Sequence, residues 1–446
     1  MRQVWTSILT VAFSLLPTAS FTAPPQAPQQ EAPPLPPLDA HQVQEMGRMN
    51  VSDGDAFVGV FFPHLRSPAP AWYNEIAGLP SSSHPEVLTW ERVYMLALVR
   101  ARSAADKDKW NPSTLDPKVL ADLAAQHGVA DFARFRNDFL STNPGEKGSF
   151  RDPSAGYLEL LCRLQKIGNA SYDVGQRENC LKLFQELIRG ESSGLSTLEV
   201  DLVHASLAAA RQQFADEIAQ YRNALDNFKT TIGLSPEVPL IPDHEAITPF
   251  REARERAHNW HRGPNRTLNQ LPKFIARVPA LGDVTLDGQP MLETIESHPD
   301  RQEDLLVTAT RLARKNLAAR QKEKSTVDSD AQIALRTRRQ IRDLLETRRS
   351  YVAEQRRFEL ATRLIDQVLT QFAAPAGGGT QALAQSLGAL VHSHLLLEQL
   401  DEIHRIQNRL VALWSSFKAD RLALYRDLGI LPYNDWKSFY DDLSAQ

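Results

Sequence analysis

Cysteine, methionine and long apolar stretches are all scarce in this chain. Its 446 residues include two cysteines and five methionines, and its charges cancel to a net −4. Beyond residue 23, no stretch reaches the roughly 18 apolar residues that a transmembrane helix needs. The balanced charge gives no overall argument for binding nucleic acid or an acidic substrate. The apolar fraction of 42% is nevertheless enough to build a substantial core.

The two cysteines, Cys162 and Cys180, fall within one predicted helix. A separation of 18 residues at ~1.5 Å per residue places them about 27 Å apart, too far for a disulfide within the chain. We therefore expect helix packing, rather than covalent links, to hold the fold together. A bridge between chains or a redox pair is the alternative.

The N-terminus has the three parts of a secretory signal peptide. Arg2 supplies the positive charge, residues 4–16 are apolar, and small residues follow up to Ala23. We assign residues 1–20 to the signal peptide and residues 21–40 to a proline-rich linker. The protein is therefore predicted to be exported, with an N-terminal anchor helix as the alternative.

The rest of the chain divides into five segments by its breakers and its apolar periodicity. They are an irregular segment with short helices (41–155), a first helical hairpin (156–234), a connector (235–296), a second helical hairpin (297–432) and a C-terminal tail (433–446). Long helices are predicted near 86–103, 157–188, 196–232, 300–321, 331–372 and 381–428. One or two short extended segments are expected around Asp283–Leu286. The predicted fold is mainly α, with two long antiparallel coiled-coil hairpins and a small irregular connector.

A seven-residue apolar repeat runs along the last helix of each predicted hairpin, as is typical of a coiled coil. The first helix carries it at Val200, Leu207, Phe214, Tyr221 and Phe228, and the second at Ile403, Leu410, Phe417 and Leu424. A shift of 196 residues, which is 28 heptads, superimposes the two series (403 − 207 = 196). A second apolar position of the repeat occurs at Ile218, Leu225 and Ile232, on which the same shift places Trp414, Arg421 and Leu428. Arg421 is the one departure from the shared pattern.

Both of these helices are predicted to stop in the same way. Gly233 and Gly429 have the residue type that favours the left-handed backbone after a helix, and Pro236 and Pro432 prevent a restart. The shared ending indicates an internal duplication of the unit helix, glycine turn, helix, stop.

Each hairpin is predicted to turn at a glycine-rich stretch, over 189–196 and 374–379. Ser196 and Glu199 have the spacing of a capping box at the start of the following helix. These turns contain the residues that we expect to face a partner: Gly190, Gly194, Leu195, Ser196, Gly377, Gly378 and Gly379.

The sequence offers no catalytic, cofactor-binding or metal-binding constellation. His258 and His261 have a spacing that could share a metal ion, but no third ligand lies nearby, so surface histidines are the preferred interpretation. The arginine-rich stretch 336–357 could contact nucleic acid or an anionic membrane. Acidic residues interspersed in it favour a solvated, ion-paired helix face, and we predict no nucleic-acid partner.

Two stretches give the chain a resemblance to a known family. Residues 194–240 (GLSTLEVDLVHASLAAARQQFADEIAQYRNALDNFKTTIGLSPEVPL) and 396–436 (LLEQLDEIHRIQNRLVALWSSFKADRLALYRDLGILPYNDW) resemble the return helices of TolC-like outer-membrane efflux proteins. Residues 297–321 resemble the start of that family's second half. The likeness covers about half of the chain, in the family's order.

The resemblance implies a homotrimer that forms a hollow periplasmic cylinder for efflux in a Gram-negative-type cell. The hairpin turns would then face an inner-membrane adaptor protein, and the mechanism would be conduction, with no enzymatic chemistry and no cofactor. The family inserts outer-membrane strands at positions that correspond to 104–155 and 322–350, where this sequence predicts helix. The alternative function is therefore a soluble periplasmic scaffold or interaction protein that keeps the hairpins and forms no pore.

Overall fold

The computed structural model of the chain describes residue 76 and the ranges 86–103, 132–141, 152–189, 197–243, 245–253, 278–321, 330–373 and 382–443. The chain divides into two compact units, Met1–Asn50 and Val51–Gln446, and every described residue belongs to the second. The predicted signal peptide and proline-rich linker lie outside the described residues, as does much of the segment 41–155.

Helices dominate the described chain, which is mainly α as the sequence predicts. In chain order, the elements are β1 (Glu86–Leu88), α1 (Trp90–Ser103), α2 (Phe132–Ser141), α3 (Ser154–Arg189), α4 (Thr197–Ile232), β2 (Leu240–Pro242), a 3₁₀ turn (Glu245–Ile247), β3 (Thr285–Leu286), β4 (Gln289–Pro290), α5 (Met291–Ser297), a 3₁₀ turn (Pro299–Arg301), α6 (Gln302–Gln321), α7 (Asp330–Ala373), α8 (Ala382–Leu428) and α9 (Trp436–Leu443). The long helices therefore begin and end within a few residues of their predicted bounds.

The two predicted hairpins lie side by side. Helix α3 packs along α4 and along α8, and α8 packs along α7, so that α4 and α7 are the outer members of the series. The pairs Asn169–Asn408 and Arg177–Asp401 show that α3 and α8 are antiparallel. The end of α3 and the start of α8 therefore share one end, which we call the turn end. The opposite end, where α4 and α8 stop, is the base.

The seven-residue repeat marks the inward face of α4, where Leu207, Tyr221 and Phe228 are buried. Helix α8 is buried on more than one of its faces, since Trp414 and Leu422, outside the first series of the repeat, are also fully buried. The reason is its central position, in contact with α3, α4, α6 and α7. Among the described residues, no helix combines the length and the apolar character needed to cross a membrane.

An aromatic cluster at the base joins the first and last described helices. Tyr94 of α1 stacks edge-on against Phe135 of α2 and Phe439 of α9, with ring centroids 4.7 and 5.4 Å apart. Trp436 lies 4.7 Å from Phe135 in the same cluster. The segment 433–446, expected as a tail, thus contains a packed helix.

The predicted start of the first helix, near residue 86, was wrong, because a short strand precedes the helix. Residues 86–88 form β1, which pairs in parallel with β2, and the helix begins only at Trp90. The hydroxyl of Tyr157 donates a 2.8 Å bond to the carbonyl of Leu88 and holds the strand against α3. A strand whose partner lies about 150 residues away in the sequence leaves no periodic signal, because its pairing is not local.

The connector contains a small antiparallel hairpin, β3–β4, where the sequence predicts an extended segment. Its turn residues Asp287 and Gly288 have φ angles of 50° and 75°, the left-handed values that an Asp-Gly turn supplies. Helix α5 follows immediately and leads through the second 3₁₀ turn into α6.

Candidate functional site

The residues that the sequence predicts to be functional belong to the two hairpin turns and to the two glycine stops. The turn residues proposed to face a partner, Gly190, Gly194, Leu195, Ser196, Gly377, Gly378 and Gly379, lie outside the described residues. The helices that flank them are described. Cys180 and Phe184 of α3 pack with Ile365 and Val368 of α7 and with Leu396 of α8. The helices that flank both predicted turns therefore pack together at the turn end.

Large apolar side chains are exposed close to the turn end. Nine such side chains are exposed among the described residues, and five of them lie on the helix segments nearest the two turns. They are Leu198 (55% exposed) and Leu202 (37%) on α4, Leu360 (56%) and Leu364 (41%) on α7, and Val391 (62%) on α8. Leu198 and Leu202 lie on one outer helix and Leu360 and Leu364 on the other, so these side chains form separate apolar sites and not one patch.

A groove of about 640 Å³ runs between α7 and α8 near the middle of the two helices. Leu360 and Leu364 form its apolar wall, and charged side chains form its rim. Arg357 pairs with Glu354 at 2.8 Å and also with Glu402. The groove therefore has an apolar floor between ion-paired borders, which suits the packing of an amphipathic helix.

At the base, α4 and α8 end in the same backbone motif. Gly233 and Gly429 have φ angles of 88° and 70°. In the first, the Gly233 N–H donates to the Thr230 carbonyl (3.2 Å) and the Leu234 N–H to the Lys229 carbonyl (2.8 Å). The second repeats this pattern, from Gly429 to Arg426 (3.1 Å) and from Ile430 to Tyr425 (3.0 Å). Both ends are Schellman motifs, and Pro236 and Pro432 follow each glycine by three residues.

Different side chains complete the two endings. The ammonium group of Lys229 donates a 2.7 Å bond to the Pro236 carbonyl, and burial lowers the pKa of this lysine. At the second ending, the amide of Asn316 on α6 donates to the carbonyls of Arg426 and Asp427, both at 3.1 Å. The backbone motif is thus shared, while the side chains that cover it are not.

Arg421, the one departure from the shared heptad, connects α8 to the connector. Its side chain is 1% exposed and donates to the backbone carbonyl of Asp283 at 3.2 Å. The Asp283 carboxylate accepts bonds from the N–H groups of Leu292 and Glu293 at 2.8 Å each, so it caps α5. Arg348 of α7 donates to the same carboxylate at 2.9 Å. Asp283 therefore joins the connector to both helices of the second hairpin.

A chain of polar side chains crosses the interface between the two hairpins. Gln165 donates to Asn169 (2.8 Å), Asn169 to Asn408 (3.0 Å), and Asn408 to Nε2 of His404 (2.9 Å). Gln213 of α4 donates to the same nitrogen at 2.9 Å. We call these five residues the polar chain. The prediction from sequence missed them, although amides at i, i+4 spacing in otherwise apolar helices are a visible signal.

Next to the polar chain, Arg177 links all three of the helices that meet there. It bonds Asp173 of α3 at 3.0 Å, Ser206 of α4, and Asp401 of α8. Burial raises the pKa of Asp173, and the neighbouring guanidinium counters part of that effect. Burial alone would lower the pKa of Arg177, but the carboxylates of Asp173 and Asp401 outweigh it and raise that pKa. Arg177 is therefore held in its charged form.

The two cysteines are free and buried in different parts of the core. Burial raises the pKa of Cys162 to about 11 and that of Cys180 to about 12. Thiols are nucleophilic only as thiolates, so neither side chain is set up for redox chemistry in this state.

The arginine-rich stretch 336–357 carries an ion-paired face. Arg336 pairs with Asp427 at 2.8 Å, Arg338 with Glu303, and Arg348 with Glu296 at 3.4 Å as well as with Asp283. Most of these contacts join α7 to its neighbours in the fold. The arginines thus help to attach α7 to α6, α8 and the connector.

No cluster of three metal-ligating side chains occurs within the described ranges, and His258 and His261 fall outside them. Comparisons with protein-family models, with curated proteins and with solved structures found no match for this chain.

Proposed function

We propose that the protein is a TolC-like component of a cell envelope, in which the hairpins of several copies form the wall of a periplasmic conduit for export. By the family resemblance, the number of copies is three. One observation carries the proposal: the two helix pairs lie side by side, with the helix ends that flank both predicted turns at one end and both glycine stops at the other. A wall needs aligned hairpins of this kind and two free lateral faces.

The lateral faces are those of α4 and α7, and their surfaces differ. The exposed face of α4 is lined by small side chains, and its charges are mixed, with Asp201 and Asp216 beside Arg211 and Arg222. The five exposed alanines are Ala205, Ala208, Ala209, Ala215 and Ala219. The exposed face of α7 is basic, with Arg342 and Arg356 in addition to paired arginines. A face of small side chains leaves room for long side chains from a neighbour. Because the two faces differ, the contact is head-to-tail, and such contacts generate rings when the rotation closes.

The shared Schellman endings support the internal duplication that the sequence indicates. A duplicated hairpin gives each copy two equivalent wall segments, so three copies supply six hairpins to one ring. The arrangement is consistent with helices that stop together where the wall meets the connector.

The turn end is the proposed contact for an inner-membrane adaptor protein. Leu198 and Val391 are exposed there, and the groove between α7 and α8 lies farther along the two helices, near their middle. An adaptor that presents an amphipathic helical hairpin would cover Leu360 and Leu364 and exchange ion pairs at the rim.

A periplasmic scaffold that forms no pore is the second candidate, and one observation favours it. Residues 330–350, where the resembled family carries membrane strands of its second half, are part of helix α7. Under this proposal the hairpins and the side chains exposed near the turn end bind a partner, and the protein conducts nothing.

Cell fractionation combined with mass determination tests these proposals. The conduit proposal expects a particle of three chains that fractionates with outer membranes. Release after osmotic shock as a single chain would contradict it and favour the scaffold. A double variant, Arg342→Glu with Arg356→Glu, is expected to lower the mass of the particle. Arg301→Glu, an exposed arginine in the 3₁₀ turn before α6, provides the matched control and is expected to leave the mass unchanged.

A further inference from the structure

The polar chain has a direction, because every amide in it donates toward His404. Gln165 gives its N–H to Asn169, Asn169 to Asn408, and Asn408 to Nε2 of His404, which also accepts from Gln213. A ring nitrogen that accepts hydrogen bonds carries no proton. The hydrogen bonds that fasten both helices of the first hairpin to α8 therefore require neutral His404.

The unpartnered polar atoms near the polar chain show how His404 takes up a proton. Within the described part of the molecule, the buried Nδ1 of His404, Oε1 of Gln165 and Oε2 of Glu217 have no hydrogen-bond partner. Because Nε2 accepts from Asn408 and Gln213, the neutral ring carries its proton on Nδ1. A second proton can therefore enter only at Nε2, where it removes the acceptor that both amides share.

We propose that the polar chain is a proton-sensitive latch between the two hairpins. Neutral His404 holds α3 and α4 to α8 in the arrangement of the structure. A proton taken from solvent by Nε2 removes the acceptor shared by Asn408 and Gln213 and loosens the contact. The latch lies within one chain and does not depend on whether the assembled protein conducts.

The charges around His404 determine when the latch responds. Burial lowers the pKa of His404. Asp173 and the nearby backbone of Asn169 on α3 raise it, the Arg177 guanidinium lowers it, and Glu217 of α4 raises it. On α8 itself, Asp401 is engaged with Arg177. The net direction is downward, so His404 is neutral at pH 7 and takes up its proton below the usual histidine range near pH 6.5.

Cys180 is a built-in probe of this contact. It lies 9% exposed in an apolar cluster that includes Val203 of α4, Ile365 of α7 and Leu400 of α8, so a thiol reagent reaches it only when these helices part. The experiment measures how fast a pyridyl disulfide labels Cys180 in the full chain carrying Cys162→Ala. Rates with His404 and with His404→Gln are compared at about pH 7.5 and about pH 5. The ratio at each pH cancels the pH dependence of the reagent.

The ratio of the two rates is expected to be near one at the higher pH. At the lower pH the protein with His404 should label several-fold faster than His404→Gln, because the proton on Nε2 removes the acceptor that Asn408 and Gln213 share. His394→Gln, an exposed histidine on the same helix, is the matched control and should label like the parent at both pH values. A ratio that does not change with pH would overturn the proposal.

A second variant separates a proton switch from a merely structural contact. Gln213 is exposed on α4, so Gln213→Glu places a carboxylate against Nε2 without emptying the core. The carboxylate favours the protonated imidazole and should move the midpoint of the labelling response to higher pH by about one unit. An unchanged midpoint would contradict the latch, and the ring-carbon NMR shift of His404 reports the same midpoint independently.

Discussion

Replacing Gly429 with alanine tests the proposed end of the second return helix. Gly429 has a φ of 70°, and a side chain in this region costs about 1–2 kcal/mol. An added Cβ would lie 2.5 Å from Cγ and 2.6 Å from Oδ1 of Asn316. Asn316 must therefore move and give up its bonds to the Arg426 and Asp427 carbonyls, each worth about 0.5–1.5 kcal/mol. The expected loss of unfolding free energy is about 3 kcal/mol in total.

The matched control is Gly288→Ala. Gly288 has a similar φ of 75°, but a Cβ there meets nothing within 4 Å. Only the backbone cost of about 1–2 kcal/mol should remain. The difference between the two variants isolates the contact with Asn316, since the backbone conformations are nearly the same.

Urea unfolding followed by circular dichroism measures both variants. A difference of about 2 kcal/mol between Gly429→Ala and Gly288→Ala is expected. Adding Asn316→Ala to Gly429→Ala should cost little more, because the asparagine has already been displaced and its removal relieves the clash. Equal losses for the two glycine variants would refute the reasoning.

Three further predictions concern the contacts between the hairpins and the connector. Arg177→Leu leaves Asp173 buried without its partner and should lower the free energy of unfolding in urea by about 3–5 kcal/mol. Asp401→Asn, at a carboxylate that is 71% exposed, should cost less than about 1 kcal/mol. Similar losses for the two variants would contradict the role of Arg177. The lowered pKa of His404 contributes stability that is present above about pH 6.5 and is lost as pH falls through the folded-state pKa. His404→Gln should therefore make the free energy of unfolding less dependent on pH over that range. An unchanged dependence on pH would contradict this role of His404. Asp283→Ala removes the cap of α5 and the partner of Arg348, so it should lower the free energy of unfolding by about 2–4 kcal/mol. The control is Asp343→Ala, at a carboxylate that is 56% exposed and lies 3.8 Å from Arg339, and it should cost less than about 1 kcal/mol.

The long helices could be predicted from the sequence because their signals are local. Apolar spacing and the stops at Gly233 and Gly429 place the ends of α4 and α8 at Ile232 and Leu428, and both glycines adopt the backbone that their position requires. Helix α3 continues through Gly168 and Gly175 without a break, since burial on most of its surface outweighs the low helix propensity of two glycines.

Contacts between distant parts of the chain could not be predicted in the same way. The pairing of β1 with β2 and the partners of Asn169 and His404 depend on which helices become neighbours, and periodicity does not specify that. Arg421 is an instructive case. The sequence shows it only as a break in a repeat, while the structure shows the side chain that binds the connector at Asp283. The turn residues remain predictions, as they lie outside the described residues.

In the proposed wall, α4 of one copy faces α7 of the next, and a cysteine cross-link tests this contact most directly. Ala215 of α4 and Ala353 of α7 are both exposed, and they lie at a similar height because Gln213 contacts His404 and Arg357 contacts Glu402. Oxidation of a variant carrying Ala215→Cys and Ala353→Cys is expected to give covalent dimers and trimers, while each single variant gives neither. Monomers alone from the double variant, or dimers from a single variant, would contradict the head-to-tail wall.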